Sequence, residues 1–421
     1  MTTGETFQSK AAHLYLSDSY TLPCGVAVKN RILKSAMSEQ LGTVKNAPTP
    51  SLVKLYNTWA NGGSGILITG NIMIDRRALG EPNNVVVESE KNFELLQAWA
   101  KAGTQNGTQL WAQINHPGKQ SPRGLCSETV APSAVPFASN LSSFFATPRA
   151  MTEAEIQEVI ERFASTAEII RNAGFTGVQI HGAHGYLVSQ FLSPHHNVRT
   201  DQWGGSLANR LRFPLSIYDS IRERVGKDFP ISFKLNSADF QRGGFEEDDS
   251  IAVMKALSDR GIDLIEVSGG NYERPAMSGI LSDNESTKLR EAYFLEFAEK
   301  ARKEISAPLC VTGGFRTVNG MASPLRDNKL DFVGIARPLA MDPNYSNKLL
   351  TGEPVVVNTK PRKIGIAALD RLGLLEVYWY GLQLKRIARG KSPRPNESGI
   401  AAFVNILLSS SSRTIYTRLR A

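Results

Sequence analysis

The chain reads as an α/β protein, a (β/α)8 barrel with a C-terminal helical and basic extension. Three observations lead there. Eight short apolar runs, each the length of a buried strand, recur along the chain, and most are followed by a helical pattern. That alternation implies parallel pairing, and eight such units over roughly 320 residues suit a closed barrel. The polar residues able to do chemistry stand at the C-terminal ends of the runs, which in a barrel converge on one mouth. No G-x-G-x-x-G follows any run, which disfavours a doubly wound open sheet.

The first strand is expected over Arg31 to Ala36, running into Met37, Ser38 and Glu39. Pro50 to Asn61 is a helix with Thr49 as N-cap and Gly62 as stop. Gly65 to Thr69 is an all-apolar strand ending at Gly70-Asn71. Glu90 to Gln105 is helical, with Phe93, Leu96, Trp99 and Ala100 on one side. Thr108 to Ile114 is the third strand, ending in Gln113, Asn115 and His116. Pro117 to Ala150, rich in Pro and Ser, is too long for a plain connection and reads as a cap or lid.

Thr152 to Glu155 is a capping box that opens a helix to about Ala173. Val178 to Ile180 is strand four, and Ser206 to Val225 the next helix. Pro230 to Leu235 is strand five and carries Lys234. A helix over Glu246 to Arg260 opens with acidic residues that suit the helix dipole. Strand six, Asp263 to Val267, precedes a helix over Lys288 to Glu304. Strand seven, Pro308 to Val311, ends in Thr312-Gly313-Gly314 and precedes a short helix over Val318 to Arg326. Strand eight, Asp331 to Ile335, ends in Ala336-Arg337.

At 41% hydrophobic and 21% charged residues, the 421-residue chain has ample core. Its three cysteines, Cys24, Cys126 and Cys310, are far apart, which argues against a zinc ribbon, an iron–sulfur cluster and a disulfide framework. They suit a reducing compartment, and the N-terminal residues lack the apolar core of a signal peptide, so a cytoplasmic location is expected. No run reaches the ~18 apolar residues of a transmembrane helix. From Lys385 onward the chain carries +7 of the net charge of +8, so the body gives no reason to expect nucleic-acid binding.

The stretch after strand four carries the most chemistry. His181, His184 and Tyr186 follow the strand in the order H-x-x-H-G-Y. Two imidazoles can hydrogen-bond a substrate oxygen, and a phenol with an ordinary pKa near ~10 can act as a general acid. An isolated H-x-x-H is more often a pair of satisfied loop histidines, and two histidines are too few ligands for zinc. Gly313-Gly314 and Ala336-Arg337, at the ends of strands seven and eight, look like a phosphate cradle. Small residues admit backbone N–H groups and Arg supplies a fork, at the place where barrels often hold phosphate. A lone Gly-Gly is usually just a turn, but two such ends at neighbouring strands favour the cradle.

The longer stretch HGAHGYLVSQFLSP followed by NVRTDQWGGSLANRLRF resembles the old yellow enzyme family, the FMN-dependent NADH:flavin oxidoreductases. There it reads H-x-x-H-G-Y-L-x-x-Q-F-L-S-P, then N-x-R-x-D-x-Y-G-G-S-x-x-N-R-x-R-F, with Trp203 here where Tyr is common. The resemblance runs from about Pro23 to about Asn344. It implies a barrel over residues 1–345 that binds FMN, takes hydride from NAD(P)H and reduces the C=C of an α,β-unsaturated carbonyl compound. By the same resemblance Ser35, Ala36, Met37 and Ser38 meet the flavin ring, and Gly70 or Asn71 stands by its pyrimidine edge with Gln113. His181 and His184 hold the substrate oxygen and Tyr186 donates the proton. Gly314 and Arg337 contact the phosphate. Lys234 stands where the family usually has Arg beside the flavin N1–C2=O, so a cation is kept but the planar fork is lost. The alternative for Lys234 is an ordinary strand lysine pointing outward. Trp111 and Met73 are read as packing.

The cysteine cluster and FAD domain of the family's iron–sulfur branch are absent from the sequence. Residues 346–421 form the extension. Its 365–389 part is helical in composition, with Trp379 and Tyr380 expected to dock on the barrel. Ile400 to Leu408 is apolar and arginines follow, which reads as a docked or frayed tail, or as a peripheral contact with a membrane or partner. A homo-oligomer stays open. Two other uses of the chain also stay open: the same flavin barrel as an oxidase, isomerase or demethylase, or a ligand-binding protein tethered by its tail. A binder has no need of a proton donor at the Tyr186 spacing.

Overall fold

The computed structural model describes residues 10–138, 141–241, 243–269, 295–315, 317–353, 355 and 374–399. Its frame is eight parallel strands: β1 (Ile32–Lys34), β2 (Ile66–Ile68), β3 (Gln109–Asn115), β4 (Gly177–Gly182), β5 (Ile231–Asn236), β6 (Leu264–Ser268), β7 (Leu309–Thr312) and β8 (Phe332–Ile335). Each pairs with the next, and β8 pairs with β1, so the sheet closes. This is the expected (β/α)8 barrel; β1, β2 and β8 lie inside their expected ranges, β3, β5, β6 and β7 run one residue further at the C-terminal end, and β4 extends at both ends to Gly177 and Gly182.

The helices alternate with the strands: α1 (Pro50–Asn61), α2 (Phe93–Gly103), α3 (Glu153–Asn172), α4 (Leu207–Val225), α5 (Glu247–Ser258), α6 (residues 295–302), α7 (Val318–Arg326) and α8 (Arg337–Met341). Local chemistry sets their ends. Thr49 caps α1 by accepting from Leu52 N, and Pro50 sits where its missing N–H costs nothing. Thr152 and Glu155 form the full capping box of α3. Ser206 is the cap of α4 rather than its first residue, since its side chain accepts from Asn209 N. The helix expected over Glu90 to Gln105 is shorter. A 3-10 turn precedes it at Glu90–Asn92, and a second follows at Gln105–Gly107, where Asn106 takes a left-handed φ of 57° that no helix continues through.

α1 shows how the helices bind. Leu52, Leu55, Tyr56, Trp59 and Ala60 fall at helical spacing and all are buried. Tyr56 meets Trp59 and Trp99 edge to face at 5.1 and 5.2 Å. Burying side chains of this size contributes about 1.5–3 kcal/mol each.

Inside the barrel the floor is apolar. Leu33, Ile66, Ile68, Trp111, Leu264, Cys310 and Phe332 form one cluster with Leu22 and Val28. Val28 belongs to the antiparallel pair Tyr20–Thr21 and Ala27–Val28, and Leu22 directly follows the first strand of that pair. Trp111 is packing, as expected, and Met73 packs with Leu79 and Val86.

The segment from Pro117 to Ala150 is not structureless. Val130–Ala131 pairs with Arg149–Ala150, and Pro122 bridges Phe145. Gln120 Nε2 donates to His184 O at 2.7 Å, so this segment braces the loop after β4. The C-terminal helix Leu374–Ala388 packs on α1 and α8, with Trp379 and Tyr380 buried. The part of the helix expected over Lys288 to Glu304 that precedes residue 295, and the apolar and arginine-rich tail beyond residue 399, lie outside the described residues.

Candidate active site

Side chains alternate across each strand, so the residues two positions after the floor form the next layer up. That layer is polar. Gln113 Nε2 donates to Gln179 Oε1 at 2.7 Å. Gln179 Nε2 donates to Glu266 Oε2 at 2.8 Å and to Ser232 Oγ at 3.2 Å. Glu266 Oε1 accepts from Lys234 Nζ at 3.0 Å and from Thr312 Oγ1 at 2.6 Å. Thr312 Oγ1 also lies 2.7 Å from Ser35 Oγ. One hydrogen-bonded chain therefore links β3, β4, β5, β6, β7 and the end of β1. Burial pushes the Glu266 carboxyl up, but the Lys234 charge and the bonds from Thr312, Gln179 and Lys234 outweigh it and hold the group below its ordinary range. Lys234 is buried and inward, not an outward strand lysine. Gly334 makes the chain possible: a Cβ there would stand 2.0 Å from Thr312 Oγ1 and 2.9 Å from Ser35 Oγ.

Above this layer, the loop after β4 brings the expected trio together. The His181 ring lies edge to face with His184 at 5.1 Å and with Tyr186 at 4.7 Å. His184 holds a left-handed φ of 61°, fixed by its N–H donating to Asn236 Oδ1 at 3.1 Å and its carbonyl accepting from Gln120. Its Nε2 lies 2.8 Å from Ser268 Oγ. Burial drives both imidazoles well below their ordinary pKa; the neighbouring His184 and Lys234 charges add to this at His181, and Lys234 adds to it at His184. Both are neutral near pH 7. Ala183 N–H donates to His181 Nδ1 at 3.3 Å, which places the His181 proton on Nε2. Asn71 Nδ2 donates to Tyr186 Oη at 3.4 Å, so Asn71 stands on the Tyr186 side.

The β1 end is pinned from behind. Glu39 Oε1 accepts from Gly70 N at 2.8 Å and from Tyr56 Oη. Lys34 points out of the barrel into the helix layer, fully buried, donating to Ile68 O at 2.7 Å and Ser35 O at 3.1 Å, with its Nζ 4.4 Å from the Trp59 ring. Ser38 Oγ donates to Glu81, which also accepts from Gln40 Nε2 at 3.1 Å. Ala36 and Met37 are half-buried, packed on the barrel-floor and main core clusters respectively. Gly313 and Gly314 have φ of 98° and 86°, and neighbour Ala336 and Arg337 through the pairing of β7 with β8. The candidate site residues thus lie in the C-terminal half of a barrel strand or in the segment that follows it. Sequence reasoning missed Gln179, Glu266, Thr312 and Glu81. The first three were within reach of the period-two alternation: Gln179 precedes His181 by two, and Glu266 and Thr312 follow Leu264 and Cys310 by two.

The family model described as NADH:flavin oxidoreductase / NADH oxidase matches residues 24–355. The chain belongs to that family. It is a family of FMN-dependent oxidoreductases served by NADH or NADPH, which makes FMN and NAD(P)H the cofactors of this chain. The NADH-dependent flavin oxidoreductase nadA of Aspergillus parasiticus is 36% identical over 343 residues, covering 77% of this chain and 76% of the relative. The NADH-dependent flavin oxidoreductase iliE of Neonectria sp. is 36% identical over 358 residues, 79% of this chain but 46% of the relative's length. A solved 2-naphthoyl-CoA reductase complex is similar with a TM-score of 0.78 at 25% identity, covering 90% of this chain and 58% of that one. The chain thus spans about half the length of two of these three. Among the described residues no helix is long and apolar enough to cross a membrane, and no cluster of His, Cys, Asp and Glu could hold a metal.

Proposed function

We propose that this protein reduces the C=C bond of an α,β-unsaturated carbonyl compound with electrons from NAD(P)H. The observation that carries the reading is the trio at the β4 end: two neutral imidazoles and a phenol packed ring to ring above one polar layer. His181, with its proton on Nε2, donates to the substrate carbonyl oxygen beside His184. Negative charge grows on that oxygen during reduction, so a fixed donor lowers the barrier. Tyr186 protonates the α-carbon.

The residues present fit FMN. Asn71 Oδ1 and both amide atoms of Asn115 are buried at the mouth with no hydrogen-bond partner, and Gln113 Oε1 accepts none among the described residues. A flavin pyrimidine edge offers both donors and acceptors to such groups. Gln113, Lys234 and either Gly70 or Asn71 would hold that edge, Ser35, Ala36, Met37 and Ser38 would line the ring, and Gly313, Gly314, Ala336 and Arg337 would hold the phosphate. When bound, FMN supplies the atom that accepts hydride from NAD(P)H and returns it to the β-carbon. The same reading assigns residues 1–345 to the catalytic barrel and 346–421 to its extension. It keeps the enzyme in the cytoplasm, where NAD(P)H is at hand and its free cysteines stay reduced.

The test is anaerobic turnover of NAD(P)H with cyclohexenone, together with a visible-spectrum titration by p-hydroxybenzaldehyde. Enone-dependent oxidation of NAD(P)H and a long-wavelength charge-transfer band are expected. Oxygen consumption with no enone turnover would assign the barrel to oxidase chemistry instead. Arg337→Ala should weaken FMN by roughly 1.5–3 kcal/mol and leave riboflavin unaffected.

A further inference from the structure

We propose that Glu266 and Gln179 are positioning residues that fix which way the Gln113 amide faces, and through it the hydrogen bond offered to the flavin N3–H. This deepens the reading of Gln113 as a contact of the pyrimidine edge, and rests on it. An amide can be turned end for end at almost no cost in shape, so something must choose its orientation. Here the choice starts at Glu266. An ionised carboxylate only accepts hydrogen bonds. Its Oε1 is taken by Lys234 Nζ and Thr312 Oγ1, and its Oε2 faces the Gln179 amide at 2.8 Å.

Gln179 must therefore present its NH2 to Glu266. Turned round, it would set two acceptor oxygens against each other at that distance. Gln179 is fully buried, so an oxygen–oxygen contact there would not be relieved by bulk solvent. With its NH2 on Glu266, its Oε1 faces Gln113, 2.7 Å from the Gln113 Nε2. Gln113 must then spend an N–H on Gln179, which leaves its Oε1 as an acceptor. The strand register makes the relay short: Gln113 and Gln179 are directly paired on β3 and β4, and Lys234 and Glu266 on β5 and β6. An acceptor is what the flavin N3–H requires.

The isosteric change Glu266→Gln separates a relay from a mere support. Lys234 can only donate, so it keeps the new amide oxygen on its own side. The new NH2 then faces Gln179. Gln179 turns, Gln113 turns after it, and an NH2 replaces the oxygen that served N3–H. The inversion arrives two side chains away from the substitution.

The experiment is proton NMR of the holoenzyme loaded with 15N-labelled oxidised FMN, reading the shift and solvent exchange of N3–H. In the wild type the resonance should lie downfield and exchange slowly. Glu266→Gln and Gln113→Ala should both move it upfield and speed exchange roughly tenfold or more, the equivalent of one lost hydrogen bond. In a Gln179→Met background, Glu266→Gln should add nothing. If Gln113→Ala alters N3–H and Glu266→Gln leaves it as in the wild type, the relay is wrong and the pyrimidine-edge contact stands. If neither alters it, the contact itself is wrong, and the relay with it. Should Glu266→Gln fail to fold, Gln179→Met alone carries the test, and a wild-type N3–H in that variant overturns the relay.

Discussion

Lys234 Nζ lies 3.0 Å from Glu266 Oε1, with both side chains buried inside the barrel. The cation expected beside the flavin is therefore half of an ion pair, and its field at the ring is the difference of two charges. Removing either charge should shift the bound flavin's midpoint potential, in opposite directions. Lys234→Met leaves Glu266 uncompensated and should lower the potential. Glu266→Gln leaves Lys234 uncompensated and should raise it. Spectroelectrochemical titration of the two variants checks this. Shifts of the same sign would mean that the pair does not act on the flavin through its charge.

The fold was legible because each strand is a short apolar run and several of the helices carry a side-chain cap. Thr49 and Thr152 mark starts that the structure keeps. The trio His181, His184 and Tyr186 was legible because it sits in one local motif. The polar layer was legible only in part: Gln113 and Lys234 were picked out singly, but their partners Gln179, Glu266 and Thr312 come from three other strands and meet them only when the barrel closes. Ser38 shows another limit. Its position was readable from the motif, but its partner Glu81 comes from the long connection between β2 and α2, whose path no periodicity announces.

Lys34 gives the protein an alkaline signature. Burial against Trp59 and Tyr56 lowers its pKa to about 8, with the Glu39 and Glu266 charges opposing the shift. In the unfolded chain it returns toward 10.5. Between those values the unfolded state binds more protons, so stability rises with pH across the window. Below about 8 the cost of the buried charge is present in full, roughly 3 kcal/mol. Urea unfolding of wild type and Lys34→Met should show the wild type gaining stability relative to the variant from about pH 8 to 10.5. A difference that stays flat over that range would mean Lys34 is not desolvated as its contacts indicate.

Gly334 is fixed by its neighbours rather than by its own backbone. A methyl group there would meet Thr312 Oγ1 at 2.0 Å and force it from both Ser35 and Glu266. Gly334→Ala should cost about 1–3 kcal/mol in unfolding free energy, the range for overpacking a tight interior. Thr312→Ala should relieve the clash, so the double variant should be more stable than Gly334→Ala alone. Denaturant titration of the three variants decides it, and a double variant no more stable than Gly334→Ala would place the clash elsewhere.

Tyr186→Phe should separate the two halves of the catalytic cycle. The phenol ring packs edge to face on His181 at 4.7 Å, and Phe keeps that packing while losing only the O–H. Taking hydride from NAD(P)H requires no proton from the protein, so reduction of the bound flavin should stay within about a few-fold of wild type. Passing it to an enone leaves the α-carbon in need of a proton. Reoxidation by cyclohexenone should slow by roughly 10²–10⁴, the range for losing a general acid. Reoxidation by oxygen should barely change, since it does not draw on that proton. His181→Ala should act differently. In the proposed function its Nε2–H holds the substrate oxygen, so carbonyl and phenol ligands should weaken first, with the proton donor still in place. Stopped-flow measurement of each half-reaction distinguishes the two roles. If Tyr186→Phe reoxidises at the wild-type rate with every enone the wild type accepts, the trio only holds ligands, and oxidase or isomerase chemistry becomes the better account of this mouth.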